Sequence, residues 1–209
     1  PMGGMHQIVK GMVDLAREKG VKFEFQQNVQ AFSLIGDQIQ EVITDQQSFT
    51  ADVIVGSADY HYIETQLLPP LYRSYSNSYW ESRKLAPSSL LYYLGVNKKL
   101  KNLNHHNLFF DQDFTPHAED IYKNPKWPDN PLFYVSVTSK TDPSVAPNGH
   151  ENLFILIPVA PDLEDTAEIR EHYYELVMQR LERLTGQSIR DAVVYKRSYA
   201  HNDFKQDYN

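Results

Sequence analysis

A glycine pair and one aspartate are the first candidates for chemistry in this chain. Gly3 and Gly4 precede a segment in which apolar residues have helical spacing. Glycines at a helix N-terminus let a ligand approach the backbone N–H groups closely, and they also permit a tight turn that starts a helix. Both interpretations remain open from the sequence. Asp59 follows an apolar segment and is expected either to cap the next helix or to contact a ligand.

Two adjacent histidines suggest a metal site, because other ligand-type residues lie near them in the sequence. His105 and His106 are followed by Asp111, Asp113 and His117. Adjacent residues on a strand point to opposite faces, so the two histidines are not expected to bind one metal ion. We therefore expect no metal site. A serine hydrolase is not expected either, since the sequence contains no Gly-x-Ser-x-Gly nucleophile elbow.

Composition excludes several classes of function. The chain has 209 residues, of which 41% are hydrophobic and 22% charged, as is typical of globular proteins. The net charge of −7 argues against a nucleic-acid partner, because phosphate binding needs a basic surface. No cysteine is present, which excludes disulfides and thiolate nucleophiles. No apolar run approaches the roughly 18 residues that would span a bilayer.

The first part of the chain reads as a helix, a hairpin and a buried strand. Helical spacing predicts a helix over 4–19 with one buried face. Alternating apolar and polar residues predict three strands: 21–26, 29–34 and 38–44. An almost wholly apolar segment, 49–57, predicts a further strand that is buried on both faces. A short helix is predicted over 59–68.

The second part of the chain is predicted to interleave strands with helices. Residues 72–80, rich in Tyr and Ser, predict an irregular segment. The same patterns predict five further strands: 89–96, 107–110, 132–138, 152–159 and 192–195. Helices are predicted over 114–124, with Asp113 as N-cap, and over 165–184. The fold class is therefore α/β of the mixed α+β kind, and the second part is expected to carry a mixed sheet with a long helix on one face.

The long helix carries several charged residues at spacings of three and four. Such pairs are typical of a solvated helix face. We therefore expect an exposed position for this whole group: Glu168, Arg170, Glu171, Arg180, Glu182 and Arg183.

Five segments resemble the bacterial-type phytoene desaturase family of FAD-dependent oxidoreductases. Two of them are shared with the wider amine oxidase superfamily: 1–5 (PMGGM) and 51–59 (ADVIVGSAD). The other three point to the desaturases: 86–95 (APSSLLYYLG), 105–107 (HHN) and 139–144 (SKTDPS). The resemblance covers essentially the whole chain.

The resemblance implies two lobes with different functions. Residues 1–70 would be a partial FAD/NAD(P)-binding lobe, and 71–209 would be a substrate-binding lobe. The family removes hydrogen from a long polyene precursor of carotenoids and passes a hydride to FAD, which carries the difficult chemistry. The substrate lies in an apolar tunnel reached from a membrane surface. The resemblance therefore implies a cytoplasmic protein with peripheral contact to the inner face of the membrane.

Three residues match cofactor-binding positions of the family. Val29 matches the position at which backbone groups hold the adenine end of FAD. Gly3 and Gly4 open the helix that runs near the cofactor cleft. No catalytic or substrate-binding residue can be assigned from the motifs.

Charged and polar residues near the end of the chain have two interpretations each. His201 and Asp203 either steer charge near the flavin or form a solvated turn with an aspartate cap. Lys196 and Arg197 either pair with a flavin phosphate or are surface charges.

The sequence departs from the family because it contains no Gly-x-Gly-x-x-Gly phosphate loop. We therefore expect a fragment that is inactive alone, retains FAD weakly or not at all, and self-associates through uncovered apolar surface. Two alternatives remain. One is a non-catalytic apolar-ligand or protein-interaction module, suggested by 14 Tyr, 10 Phe and 2 Trp. The other is a different flavin oxidoreductase of the superfamily, such as an amine oxidase or a retinoid saturase.

Overall fold

The computed structural model describes residues 2–83 and 87–208. The chain forms two compact units. One consists of Pro1–Asp14 with Leu85–Asp207, and the other of Leu15–Lys84 with Tyr208–Asn209. Each unit contains one sheet, and every described strand pair is antiparallel. The predicted α/β class is confirmed. The sheet in the second part of the chain was expected to be mixed, but its described strands are all paired antiparallel.

Helix α1 spans His6–Glu18, as predicted, but its apolar face is not buried. Gly3 and Gly4 precede it with φ angles of +86° and +87°, which only glycine adopts readily. The expected burial is wrong. Val13 and Ala16 are half-buried, and the other apolar side chains of this face are exposed: Met5, Ile8, Val9, Met12 and Leu15.

The predicted hairpin is confirmed. Strand β1 (Val29–Ile35) pairs antiparallel with β2 (Gln38–Thr44), and Gly36 turns the chain between them with a φ of 63°. A two-residue strand, β3 (Ser48–Phe49), adds to the other edge of β2. The sheet order β1-β2-β3 leaves β1 at an edge.

Two predicted strands are wrong. Residues 21–26 form no strand, and of 49–57 only Phe49 lies in one. Val53 and Val55 are 78% and 84% exposed, although a strand buried on both faces was predicted. Such a strand needs neighbouring strands to pair with its backbone, and the described residues provide none beside this segment.

The helix predicted over 59–68 is confirmed as α2 (Tyr60–Tyr62) followed by a π-helical turn, Ile63–Leu67. Asp59 caps it, because its Oδ1 accepts a hydrogen bond of 2.8 Å from the backbone N of Tyr62. The capping interpretation of Asp59 is therefore confirmed.

The segment predicted to be irregular contains a short helix, α3 (Asn77–Glu81). The Ser76 hydroxyl caps it by accepting a hydrogen bond from the backbone N of Tyr79. Stacking of Tyr75 on Tyr79, with ring centroids 4.0 Å apart, further orders this segment. Tyr75 and Tyr79 lie four positions apart, as is typical of one helical turn, but a helix of five residues is too short to show the apolar periodicity that predicts a helix.

The larger sheet contains five strands in the order β5-β6-β7-β4-β8. The predicted strands are confirmed in it, and the last one is longer than predicted. Their bounds are β4 Ser88–Val96, β5 His106–Phe109, β6 Phe133–Ser136, β7 Glu151–Val159 and β8 Val193–Tyr199. The central pair β4–β7 is in register over nine residues, from Ser88 opposite Val159 to Val96 opposite Glu151.

Helix α5 (Ala167–Thr185) belongs to the core that covers one face of this sheet. Thr166 caps its start, and Gly186 ends it with a left-handed φ of 67°. The core contains side chains that alternate along the strands and recur along the helix: Leu90, Tyr92, Leu94, Leu153, Ile155, Ile157, Tyr173, Val177 and Leu181.

Two further helices flank the sheet. Helix α4 (Phe114–Tyr122) is capped by Asp113, as predicted. Helix α6 (His201–Tyr208) was not predicted. The solvated-turn interpretation of His201 is wrong, because this side chain is buried at the start of α6. Among the described helices, none is long and apolar enough to cross a membrane.

Candidate functional site

The sheet face opposite α5 is the candidate ligand surface. Side chains alternate along each strand, so residues adjacent to the core positions point to this second face. We call it the open sheet face and define it by its aromatic and apolar members: Tyr93, Tyr134, Phe154, Leu156 and Tyr195.

Aromatic contacts connect the strands across the open sheet face. Tyr93 lies opposite Phe154, and their ring centroids are 5.3 Å apart. Phe154 also contacts Tyr134 edge-on at 6.3 Å. Tyr93 and Tyr195 are exposed, while Phe154 is half-buried. Large exposed rings on one face are characteristic of a surface that binds an apolar ligand.

A cavity of about 380 Å³ lies at one end of the open sheet face, around Gly95. Gly95 allows the strands to approach here, because a Cβ atom at this position would lie 3.2 Å from the Cβ of Tyr195. Phe154 and Tyr195 form part of the wall, and Val145 closes it from the loop before β7.

The Gly3–Gly4 turn is held by the same loop. The backbone N of Gly3 donates a hydrogen bond of 2.6 Å to Oδ2 of Asp142. The other carboxylate oxygen of Asp142 accepts from the backbone N of Ser144 at 2.9 Å and from its hydroxyl at 2.6 Å. The side chain of Asp142 therefore joins two motifs that lie 139 positions apart in the sequence.

Asp142 acts as the anion at the start of α1. The Ser144 hydroxyl, together with the backbone N–H groups of Ser144, Gly3 and Gly4, lowers the pKa of Asp142, although burial opposes this. A carboxylate is also favoured by the positive end of the helix dipole. The N–H of Gly3 is thus occupied by a side chain of this chain. Among the described residues beyond its chain neighbours, a Cβ atom at Gly4 would come within contact distance of one atom, Cγ1 of Val145 at 3.9 Å.

Val29 lies in the other unit, at the start of β1. It is half-buried and opposite Thr44, and the strand register shifts between Val29 and Ala31. Because β1 is an edge strand, one side of its backbone has no strand partner among the described residues. Backbone groups on an unpaired edge are able to hydrogen-bond to another molecule.

The residues considered for a metal site have other partners. His105 Nδ1 lies 2.5 Å from the Thr141 hydroxyl, and His106 Nδ1 lies 2.6 Å from the Tyr134 hydroxyl. Asp111 binds Arg180. Within residues 2–83 and 87–208, no group of three or more potential ligands is arranged to hold a metal ion.

Three residues correct the prediction of a fully solvated charged face on α5. Arg170 and Glu182 are half-buried. Arg180 departs furthest from the prediction. It is buried, bound to Asp111, and donates a hydrogen bond of 2.5 Å to the carbonyl of Pro131. It also lies over the ring of Phe133 at 5.2 Å. A long cationic side chain can be buried when its donors are satisfied in this way.

The polar residues near the chain end are used within the fold. His201 Nε2 lies 2.8 Å from the carbonyl O of Ala160. Asp203 accepts from the backbone N of Ala200 and pairs with Arg170 at 2.7 Å. Lys196 pairs with Glu171 at 2.7 Å, whereas Arg197 is exposed on β8.

Two features of the site were missed from the sequence. The open sheet face could have been found from the alternation of β4 and β7, which places Tyr93 and Phe154 on one face. The contact of Asp142 with Gly3 could not have been found from the sequence, because no local pattern links positions so far apart.

Comparisons with known proteins agree with this architecture. The sequence profile of the family described as "Flavin containing amine oxidoreductase" matches residues 1–209. The fold also matches a crystal structure of an oxidoreductase from Methanosarcina mazei, with a TM-score of 0.69 and 16% identity, over 96% of this chain and 43% of that one. At that identity the match shows the fold alone.

Two curated relatives show which members of the family this chain is similar to. The chain is 41% identical over all 209 residues to a carotenoid 3,4-desaturase from Haloarcula japonica, of which it covers 42%. It is 30% identical to a zeta-carotene-forming phytoene desaturase from Myxococcus xanthus, of which it covers 41%. The chain thus spans less than half the length of these relatives. It belongs to the flavin-containing amine oxidoreductase family, in which its sequence resembles the carotenoid and phytoene desaturases.

Proposed function

We propose that this chain is the interior part of an FAD-dependent desaturase that acts on a carotenoid-type polyene. The observation that carries the proposal is the 41% identity to a carotenoid 3,4-desaturase over the full 209 residues. The second support is the open sheet face, because its aromatic side chains suit a long apolar substrate better than a polar one.

Proposed roles follow for both units. Val29 would hold the adenine end of FAD through backbone groups on the free edge of β1. Gly3 and Gly4 would let α1 begin close to the cofactor, with Asp142 keeping the turn in place. The lobes would be 1–70 for the cofactor and 71–209 for the substrate.

The residues of this chain would orient the substrate and exclude water from it. When bound, FAD supplies an acceptor for the hydride that leaves one saturated carbon, while a proton leaves the neighbouring carbon and a C=C bond forms. Tyr93 and Phe154 would hold the polyene flat against the sheet, which limits the bonds that can face the acceptor. The described residues of the open sheet face therefore act as positioning groups in this proposal.

The sequence contains no recognisable binding loop for the diphosphate of FAD. The sequence holds no glycine-rich phosphate loop, and the N–H of Gly3 is occupied by Asp142. We therefore propose that the isolated chain does not retain FAD and is inactive alone. Yellow protein after purification, or a dissociation constant near about 1 µM in calorimetry, would overturn this part of the proposal.

The activity can be tested in a chimera. In it, this chain replaces the matching 42% of the Haloarcula japonica carotenoid 3,4-desaturase. The purified chimera should carry flavin absorbance, and a carotenoid incubated with it should shift to longer wavelength because its conjugation lengthens. The unmodified Haloarcula enzyme is the positive control, and the isolated chain is the negative control.

The outcomes of the chimera experiment test the cofactor assignment and the substrate assignment separately. A folded chimera without flavin absorbance would contradict the FAD assignment. A flavin-containing chimera that leaves the spectrum of every carotenoid tested unchanged, but oxidises an amine, would replace the desaturase proposal with an amine oxidase.

We also propose that the longer protein works at the inner face of the cytoplasmic membrane. A long polyene dissolves in the bilayer rather than in water, so an enzyme must collect it there. Flotation of the chimera with phospholipid vesicles tests this, and recovery of all the chimera in the vesicle-free fraction would contradict it.

A further inference from the structure

We propose that His150 is the base that accepts the proton released when a C=C bond forms in the substrate. The inference deepens the proposed function and rests on it. Such a reaction needs a proton acceptor, because a hydride and a proton leave neighbouring carbons. His150 lines the cavity around Gly95, at one end of the open sheet face, and its side chain is half-buried.

The cavity around Gly95 lies beside the turn that we place near the cofactor. Val145 connects the two, because it lines the cavity and its Cγ1 lies 3.9 Å from the position of a Cβ atom at Gly4. Asp142, in the same loop, holds Gly3 through the hydrogen bond of 2.6 Å. A substrate that extends along the open sheet face into this cavity would therefore bring one of its bonds close to the proposed position of the flavin.

The hydrogen bonding of the His150 ring leaves one nitrogen free to act as a base. Nδ1 lies 2.9 Å from the carbonyl O of Asn148. A carbonyl oxygen only accepts, so Nδ1 carries the proton of the neutral imidazole and Nε2 carries a lone pair. Within residues 2–83 and 87–208, no group forms a hydrogen bond with Nε2. Nε2 can therefore take up a proton, and the carbonyl of Asn148 then stabilises the imidazolium.

The backbone of His150 is held on both sides. Its N–H donates a hydrogen bond of 2.9 Å to the carbonyl O of Pro147, and its carbonyl O accepts one of 2.8 Å from Nζ of Lys99. The next residue, Glu151, begins β7. A base is effective only when it is held at a fixed position relative to the C–H bond, and these contacts provide that position.

The other titratable side chains of the cavity wall are less suited to accept a proton. Those described are Tyr93, Glu151 and Tyr195. Glu151 is only 2% exposed, and its carboxylate binds Nζ of Lys140 at 2.8 Å and a backbone N–H at 2.9 Å. The tyrosines are neutral phenols, which act as donors at neutral pH. Among the described wall residues, His150 thus offers the basic atom that is not already engaged.

The proton transfer to His150 balances atoms and electrons. A hydride leaves one saturated carbon for the flavin, with two electrons. The C–H bond of the neighbouring carbon breaks, its electron pair forms the second bond of the C=C group, and the proton binds to Nε2 of His150. The substrate is thereby oxidised by two electrons and the flavin is reduced by two. Because His150 is half-buried, water can remove the proton between turnovers.

The test uses the flavin-containing chimera. His150→Asn keeps a side-chain N–H for the carbonyl of Asn148 but has no basic nitrogen. Its kcat should fall at least about 100-fold with little change in KM, since a general base contributes about 10²–10⁴-fold. Added imidazole should restore part of the kcat lost in His150→Ala. The matched control is His172→Gln, at an exposed histidine on α5, which should keep the wild-type kcat.

The pH dependence of kcat separates a base from a residue that only supports the loop. A protonated imidazole cannot accept a proton, so kcat of the wild-type chimera should fall as the pH is lowered, and this fall should be absent in His150→Asn. The charged groups next to His150 remain in the variant: Lys99, Glu151 and the Lys140 that pairs with Glu151. An acid fall that persists unchanged in His150→Asn would contradict the inference.

Two measurements need no activity. Urea unfolding shows whether each variant is folded, and His150→Ala carries the test if His150→Asn does not fold. Nitrogen NMR of the isotope-labelled chain should show that the neutral imidazole of His150 carries its proton on Nδ1, and a proton on Nε2 would overturn the inference.

The outcomes distinguish this inference from the proposed function. A wild-type chimera that carries flavin but desaturates no carotenoid overturns the proposed function and the role of His150 with it. An active chimera in which folded His150→Asn and His150→Ala keep the wild-type kcat overturns the role of His150 alone.

Discussion

Asp142 connects the loop before β7 to the distant turn at Gly3 and Gly4. Its carboxylate is almost fully buried, accepts hydrogen bonds from Ser144 and receives the N–H of Gly3 from the start of α1. If this acceptor is removed while its donors stay buried, the fold loses more free energy of stabilisation than the hydrogen bonds contribute on balance. The turn at Gly3 and Gly4 therefore depends on a side chain outside it.

Replacement of the Asp142 charge should make the Gly3–Gly4 turn less stable at neutral pH. In Asp142→Asn the amide keeps one acceptor oxygen but no charge, so amide exchange at Gly3 should be faster and urea unfolding should occur at lower concentration. Asp52→Asn, at an exposed aspartate, is the matched control.

The pH dependence of this effect follows from the lowered pKa of Asp142. A lowered pKa stabilises the fold above the pKa of the unfolded chain, and the contribution disappears as the pH falls and the carboxylate becomes protonated. The difference between wild type and Asp142→Asn should therefore shrink below about pH 4. A difference that stays constant from neutral to acid pH would contradict the role of the charge.

At the scale of elements, α5 and the central strands β4 and β7 form the hydrophobic core of the larger unit. The helix places Tyr173, Val177 and Leu181 in the same core as the strand side chains. Because this face is covered, the alternate residues of the same strands are left for the open sheet face. The position of Tyr93 and Phe154 is thus a consequence of helix packing on the opposite side.

The start of α5 provides a measurable contribution to this packing. Thr166 accepts a hydrogen bond of 3.2 Å from the backbone N of Ile169. Thr166→Ala should lower the free energy of unfolding by about 1 kcal/mol, because one backbone donor loses its partner. Urea unfolding followed by far-UV circular dichroism measures the change. Thr166→Ser keeps the hydroxyl and should restore most of the loss, and equal losses in both variants would exclude the capping role.

At the scale of the whole molecule, the chain leaves much apolar surface uncovered. Most of the apolar face of α1 is exposed, and so are most of the residues 51–57. The relatives are more than twice as long as the matched region, so their remaining parts are available to cover such surfaces. For the isolated chain, we propose that a second copy covers the face of α1 instead.

Self-association through α1 can be tested by sedimentation. Val9→Lys places a charge in the middle of the exposed apolar face and should weaken association at least about tenfold. Asp14→Asn changes the net charge by the same amount on the opposite side of the helix and should have little effect. A wild-type chain that sediments as a monomer at high concentration would refute the proposal, as would equal effects of the two variants.

The sequence by itself determined the elements whose signals are local. Apolar spacing and capping residues were sufficient for α1, the β1–β2 hairpin, β4, β7 and α5, because a helix or hairpin is specified by residues close together in the chain. Motif resemblance likewise placed the chain in its family. The capping role of Asp59 was available from the sequence for the same reason.

Only the tertiary structure decided which surfaces are covered. Residues 51–57 have the composition of a buried strand yet remain unpaired, since a strand needs neighbours that the described chain does not supply. Arg180 has the sequence context of a surface residue but is buried by Asp111 and Pro131. Burial and strand pairing depend on groups that meet from distant positions, as Gly3 and Asp142 do, and no local pattern contains that information.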